Sequence, residues 1–245
     1  MLNIEANSII NDYTLNIFTD ASISKLPGTE IVTGGAGAQF YIGDRLIDSK
    51  LKILINTTNN QSELTAILLG VIGAIQLKNQ VRVINLFSDS RISILGLREW
   101  IFSWVNSVHE DVMYSSSGLP VANQQIILNI VDAIIRNNLQ INLYHVRGHL
   151  DSGKDKQVFQ FKKSFLKENH LDPYTIIDDK LIQFLINGNS SIDKYTRDPL
   201  LNKEYMLQLA KDSYYSNPII PFTIDPSYYL SSFNIGKYKE CIGVC

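Results

Sequence analysis

Three acidic residues stand where a carboxylate could do chemistry. Asp20 follows the alternating run Thr14-Leu15-Asn16-Ile17-Phe18-Thr19, and Asp89 follows the apolar run Val81-Arg82-Val83-Ile84-Asn85-Leu86-Phe87-Ser88. Glu63 falls in the first turn of an apolar helix introduced by Thr57-Thr58-Asn59-Asn60-Gln61-Ser62. Taken singly, each has a plain explanation: an acid after a strand is a turn residue, and one in a first helical turn favours the helix dipole. On three separate elements, however, they could converge at one edge. An ionised carboxylate among apolar neighbours needs a partner, and a divalent cation is one. Clustered carboxylates hold magnesium ions that activate water and stabilise a leaving oxygen in phosphoryl chemistry.

The intervening sequence supplies elements that could position them. Residues 14–20 alternate as a strand, and residues 34–42 read as a second whose glycines permit close backbone approach. The Gly43-Asp44 turn leads to a third strand over 45–55, which completes an antiparallel meander. From Ser62 to about Leu77, Leu64, Ile67, Leu68, Val71, Ile72 and Ile75 recur at helical spacing. The density of apolar residues over 81–88 predicts a central parallel strand. A helix is expected through Ile92, Leu95 and Trp104, a loop over 107–119, another helix from Pro120 to Asn137, and a fifth strand over 140–146. Residues 151–170 read as charged and partly helical. A last helix is predicted over 172–187, after Asp172-Pro173. Beyond Pro199 the periodicity weakens, and tyrosines alternate with prolines as an extended tail.

This order of elements implies an α/β domain with a mixed sheet, and the strand ends carrying Asp20 and Asp89 lie at the edge where such sheets build their sites. The 245 residues suit one large domain with an appendage, and a net charge of −2 gives no global basic signal. Any affinity for nucleic acid must therefore come from local patches. Cys241 and Cys245 are too few for a zinc site or a disulfide framework, so a reducing, intracellular and specifically cytoplasmic setting is expected. The amino terminus lacks the pattern of a signal peptide, and no apolar run is long enough to span a membrane.

Several motifs in order resemble the bacterial type I ribonuclease H family. Phe18-Thr19-Asp20-Ala21-Ser22 is similar to its first-strand motif, with Ala where Gly is usual. Thr57 to Leu64 matches TTNN-x-x-E-L. Ser88-Asp89-Ser90, Gly96 and Trp100-Ile101-x-x-Trp104 resemble DS-x₅-G-x₃-WI-x₂-W, Pro120-Val121-Ala122-Asn123 resembles P-V-x-N, and Val146-Arg147-Gly148-His149 resembles V-x-G-H. The resemblance covers roughly residues 14–190, and ordered motifs are far more specific than any one. It implies a ribonuclease H-like fold: a five-stranded mixed sheet, three antiparallel strands then two parallel, flanked by helices. The expected organisation is a lead over 1–13, the domain over 14–190 with an insertion at about 151–171, and an extension over 191–245.

The same resemblance implies an endonuclease that cuts the RNA strand of RNA–DNA hybrids with two Mg²⁺ ions, Mn²⁺ being the alternative, and leaves 5′-phosphate and 3′-hydroxyl ends. Asp20, Glu63 and Asp89 would be metal ligands. The family's fourth acid lies in an N-E-x-x-D-x-L-A run opening the last helix. Asp179, two residues before Leu181, is the expected match, with Asp178 as competitor and Thr175-Ile176 in place of Asn-Glu. Asn59 and Asn60 would read the hybrid's minor groove, Thr58 and Asn123 would grip a DNA phosphate, although Asn123 also suits a helix cap, and His149 would move a proton or aid product release. The protein is expected to be a monomer, with the extension available to a protein partner. One departure is the segment Val105 to Asp111, which lacks the family's basic handle. Lys154, Lys156, Lys162, Lys163 and Lys167, interleaved with Phe159, Phe161 and Phe165, offer a replacement; a solvated helix with one apolar stripe is the plainer reading. Two alternatives remain in view: a 3′–5′ exonuclease, disfavoured because Ser22 stands where an Asp-x-Glu pair would need Glu, and a non-catalytic hybrid-binding module.

Overall fold

A computed structural model describes residues 3–4, 9–148, 155–215, 230 and 233–243. Its centre is a five-stranded sheet built from β2 (Thr14–Lys25), β3 (Val32–Ile42), β4 (Arg45–Ile55), β5 (Val83–Ser88) and β8 (Asn142–His145). The spatial order is β4-β3-β2-β5-β8. β2, β3 and β4 are antiparallel neighbours, whereas β5 pairs parallel with both β2 and β8. This is the mixed sheet expected from the sequence.

Alternation along the strands divides the core into two layers. Leu15 and Ile17 of β2 pack with Ile67, Leu68 and Val71 of α1 (Asn59–Leu77), and α4 (Gln124–Arg136) completes that side. On the other face, Phe18 stacks on Phe87, Phe87 on Tyr144, Tyr144 on Phe165 and Phe165 on Phe161, at 5.0 to 6.0 Å between ring centres. Phe161 and Phe165 belong to α5 (Asp155–Glu168), and the same layer takes Leu181, Leu185 and Ile192 of α6 (Asp179–Arg197). Behind the rings, Asn142 donates to Asn85 at 2.9 Å and Asn85 donates to Asn16 at 3.0 Å. These bonds join residues that face one another across β2, β5 and β8, so they oppose any slip of the parallel register.

Several elements differ from their sequence-based expectation. The helix predicted over 172–187 starts at Asp179 and runs to Arg197, across the expected domain end at residue 190. The helix expected from Pro120 begins at Gln124. The segment from Arg91 to Trp104 is two helical pieces, α2 (Arg91–Leu95) and α3 (Ile101–Trp104), joined by a π-helical stretch over Gly96–Trp100. Within the expected loop, β6 (Val108–His109) and β7 (Val112–Met113) form a small hairpin. Glu110 and Asp111, both at positive φ, make its two-residue turn, the backbone a tight hairpin requires.

The two ends of the chain also carry structure. β1 (Asn3–Ile4) pairs parallel with β9 (Ile176–Ile177). Beyond α6, α7 (Lys203–Tyr215) sets Met206 and Ala210 in a satellite core with Leu26 and Leu200. The helix α8 (Ile235–Ile242) packs on α4 and β8: Tyr238 is fully buried and donates to the Leu97 carbonyl at 3.0 Å, while Ile141 N–H donates to the Cys241 carbonyl at 2.9 Å. No helix among the described residues is long and apolar enough to cross a membrane.

Candidate active site

The row that carries Asn16 and Phe18 on β2 reaches Asp20 next, and the row that carries Asn85 and Phe87 on β5 reaches Asp89. Because Phe18 stands opposite Phe87 in the parallel register, both aspartates emerge side by side at the carboxyl edge. Glu63 arrives from the opposite layer. Thr58 caps α1 by accepting from Gln61 N–H at 3.2 Å, and Thr57 Oγ1 lies 3.0 Å from Ser62 Oγ, so the polar run fixes the start of the helix; because α1 already begins at Asn59, Glu63 stands just past the first turn in which the sequence placed it. Asp20, Glu63 and Asp89 each offer a carboxylate oxygen, and these oxygens lie within 4.8 Å of one another.

The electrostatics of the trio call for a cation. Burial, then repulsion from Asp89, pushes the Asp20 carboxyl up to about 8. Burial, then repulsion from Asp20 and Asp89, pushes Glu63 up to about 9. Among the described residues, buried Glu63 Oε2 has no hydrogen-bond partner. Three acids that cannot comfortably ionise together, one with an orphaned oxygen, fit a divalent cation with oxygen ligands.

The backbone around them is close-set. A Cβ on Gly148 would collide with Asp89 Oδ2, so a larger residue in the turn after β8 would displace that carboxylate. His145, whose pKa burial lowers, holds Nε2 3.2 Å from the Asp89 carbonyl oxygen; a carbonyl only accepts, so this nitrogen carries the proton. His149 lies outside the described residues, as does Lys154.

Asp179 is not part of this cluster. It opens α6 with its side chain 86% exposed and accepts from Lys162 Nζ at 2.8 Å. Asp178 is the N-cap of that helix, accepting from Leu181 N–H at 2.7 Å. The acid of α6 that reaches the site is Asp193, which lines the same cleft as Asp20, Glu63 and Asp89 and adds to the repulsion on Asp20. Fourteen residues of helix separate Asp179 from Asp193, about 21 Å at 1.5 Å per residue. The match of Asp179 to D-x-L reflects the first turn of an amphipathic helix, with Leu181 simply in the core. A usable signal lay further on. Asn189-Ser190-Ser191-Ile192-Asp193 keeps the Asn and the Asp of N-E-x-x-D at the family's spacing.

The cleft, roughly 770 Å³, is also lined by Asn59 and Asn60, with Arg91 and Arg197 as its cations. Each cation is already engaged: Arg197 donates to Asp193 at 3.0 Å and Arg91 to Glu168 at 2.6 Å. A second, apolar cavity of roughly 280 Å³ adjoins at Asn60 and is lined by Trp100, Trp104 and Asn123. Asn123 takes a left-handed backbone (φ 59°) and its side chain makes no capping bond to α4. Thr58 acts as the cap of α1. The expected aromatic and basic grip of the insertion resolves mostly into core. Phe161 and Phe165 are buried and Lys162 pairs with Asp179, leaving Phe159, Lys163 and Lys167 exposed.

An α/β sheet with a buried carboxylate cluster at the carboxyl edge of its parallel strands defines a class of protein that holds divalent cations for phosphoryl chemistry. A family model described as RNase H matches residues 12–159. The chain is 34% identical over 137 residues to a ribonuclease H of Haemophilus influenzae, covering 55% of this chain and 78% of the relative. It is 33% identical over 147 residues to a ribonuclease H of Ruthia magnifica, covering 57% and 86%. Superposition on the crystal structure of LC9-RNase H1 gives a TM-score of 0.43 at 20% identity, covering 61% of this chain and 69% of that one. The chain belongs to the ribonuclease H family.

Proposed function

We propose that the chain is a ribonuclease H that hydrolyses the RNA strand of RNA–DNA hybrids at internal positions, with Asp20, Glu63, Asp89 and Asp193 as the acids that hold two Mg²⁺ ions. The observation that carries this reading is the convergence of three carboxylates, those of Asp20 and Glu63 buried and that of Asp89 half-buried, within the segment matched by the family model. Asp193 replaces Asp179 as fourth acid because it shares their cleft. Divalent cations bound there supply Lewis acidity, lowering the pKa of the attacking water and stabilising the departing 3′ oxygen.

The chain's own residues do the rest. Asp20 and Asp89 are delivered by rigid strands and Glu63 by a capped helix, so the acids need no rearrangement to converge. Asn59 and Asn60, on the lip of the cleft, are assigned to the minor groove of the hybrid, where 2′-hydroxyls distinguish RNA from DNA. Asn123 and Thr58 are assigned to a DNA phosphate, and His149 to proton transfer. The hairpin tip bears Glu110 and Asp111 where a basic handle would grip phosphates, which predicts weak backbone affinity by that route.

The test is Asp20→Asn, with an internally labelled hybrid and a Mg²⁺ titration. The variant should bind the hybrid and leave it intact, while the wild type makes internal cuts that leave 5′-phosphate ends. Terminal trimming by the wild type would replace this reading with an exonuclease, and binding without any cleavage would make the chain a non-catalytic module.

A further inference from the structure

We propose that Thr196 is a positioning residue for Asp20, acting as one of two hydroxyls in series, Ser22 and Thr196, that hold one oxygen of the Asp20 carboxylate. The inference rests on the reading of Asp20 as a metal ligand.

Thr196 is fully buried at the last turn of α6. Its Oγ1 has three oxygen neighbours: Ser22 Oγ at 3.1 Å, the Asp193 carbonyl at 3.1 Å and Asp20 Oδ2 at 3.5 Å. The plainest account is a threonine bonding back to its own helix. A further observation takes it beyond that: the helix is pressed onto β3 at this residue. A Cβ on Gly35 would collide with the Thr196 carbonyl, and Thr196 Cγ2 would lie 2.7 Å from one on Gly37. Both glycines lie on one face of the strand. The methyl is thereby seated over Gly37 while the hydroxyl meets β2 beside Asp20.

Ser22 is two residues beyond Asp20 and therefore on the same face of β2. When Ser22 donates to Thr196, the Thr196 proton is left for Asp20 Oδ2 and the Asp193 carbonyl. Thr196 thus ties the acid of β2 to the turn of α6 that carries Asp193. Hydrogen bonds of this kind orient carboxylate ligands, and their loss typically weakens metal affinity by about 10- to 100-fold. At 3.5 Å the bond to Asp20 is long, so an effect of about three- to tenfold is expected here.

The experiment uses the full chain and four variants: Thr196→Val, which keeps the branched shape, Thr196→Ser, which keeps the hydroxyl, Ser22→Ala and Asp20→Asn. Mg²⁺ affinity is measured by calorimetry, melting temperature in EDTA, and kcat and KM on a labelled hybrid. Thr196→Val should weaken Mg²⁺ by about three- to tenfold and lower kcat at limiting Mg²⁺, with KM for the hybrid unchanged. Thr196→Ser should restore both, and Ser22→Ala should shift Mg²⁺ affinity in the same direction. A Thr196→Val protein that melts lower in EDTA but titrates Mg²⁺ like the wild type reduces Thr196 to a helix back-bond and overturns the proposal. Should that variant not fold, Ser22→Ala decides, and an unaltered Mg²⁺ affinity overturns it. An Asp20→Asn protein with wild-type Mg²⁺ affinity removes the underlying reading of the site; loss there with Thr196→Val unaffected removes only this inference.

Discussion

Replacing Glu63 with Gln should make the protein more stable without divalent metal and less responsive to it. Glu63 is 6% exposed, and its carboxyl is pushed from 4.5 up to about 9 by burial first and by the charges of Asp20 and Asp89 second. A carboxyl with a higher pKa in the folded than in the unfolded chain contributes its full stability below the unfolded value. It loses that contribution as pH climbs towards the folded one. From 4.5 to neutrality is about 2.5 pH units, and at 1.36 kcal/mol per unit the metal-free fold forfeits up to about 3 kcal/mol. Glutamine is uncharged in both states and escapes this loss. At about 2–4 °C per kcal/mol for a domain of this size, the ceiling is on the order of 10 °C, and a gain of several degrees is expected. Circular dichroism melts in EDTA and in excess MgCl₂, at about pH 5 and about pH 8, give the answer. In EDTA the wild type should melt lower at the higher pH and recover with Mg²⁺, whereas Glu63→Gln should lose less between the two pH values, keeping only the part owed to buried Asp20, and should gain less from Mg²⁺. If Glu63→Gln melts no higher than the wild type in EDTA at the higher pH, or if Mg²⁺ raises both equally, the reasoning fails.

Two further outcomes follow from the geometry. Asp193→Asn should reduce hybrid cleavage by at least about a hundredfold, a transition-state loss of roughly 2.7 kcal/mol, while Asp179→Asn should leave the rate within about twofold; steady-state rates at saturating Mg²⁺ compare them directly. Tyr238→Ala should destabilise the protein by about 3–5 kcal/mol and Tyr238→Phe by about 1 kcal/mol, measured by urea denaturation, because the first empties a fully buried site and the second removes only the bond to the Leu97 carbonyl.

Legibility in the sequence followed locality. The convergence of Asp20, Glu63 and Asp89 could be read because each acid closely follows a run with a strong local signal, strand alternation before Asp20 and Asp89 and a polar capping run before Glu63, although β2 continues past Asp20 to Lys25 and α1 begins four residues before Glu63. Asp193 was hidden because it sits within a nineteen-residue helix rather than at its start. The expectation of an acid opening the last helix pointed to the first acids after Pro173, and Asp178 and Asp179 have the local chemistry of a cap and a first turn. The insertion was ambiguous for a related reason. Lysines beside phenylalanines suit a nucleic-acid grip as well as an amphipathic helix, and only the three-dimensional stack on Tyr144 separates Phe161 and Phe165 from exposed Phe159. The short hairpin at Val108–Met113 had no apolar alternation to announce it, since its turn is made by two acids in a left-handed backbone.

The segments beyond the family match share a placement that bears on function. α5 extends the aromatic stack past β8, α7 closes a satellite core with Leu26, Ile53 and Ile55, and α8 buries Tyr238 against the helical segment that bears Leu97. Each covers apolar surface that the sheet and its helices would otherwise expose. Among the described residues beyond the match, the end of α6 and the turn after it approach the acids: Asp193, Arg197, Leu200 and Leu201 line the cleft, with Leu201 69% exposed beside it. Arg197 already pairs with Asp193, one turn before it. Were Asp193 to hold a cation, as proposed, the cation would compete with that pair, and occupancy of the site would be linked to the position of the Arg197 guanidinium. The end of α6 thus joins the proposed fourth acid to a cation on the wall of the cleft, and it lies outside the segment by which the family is recognised.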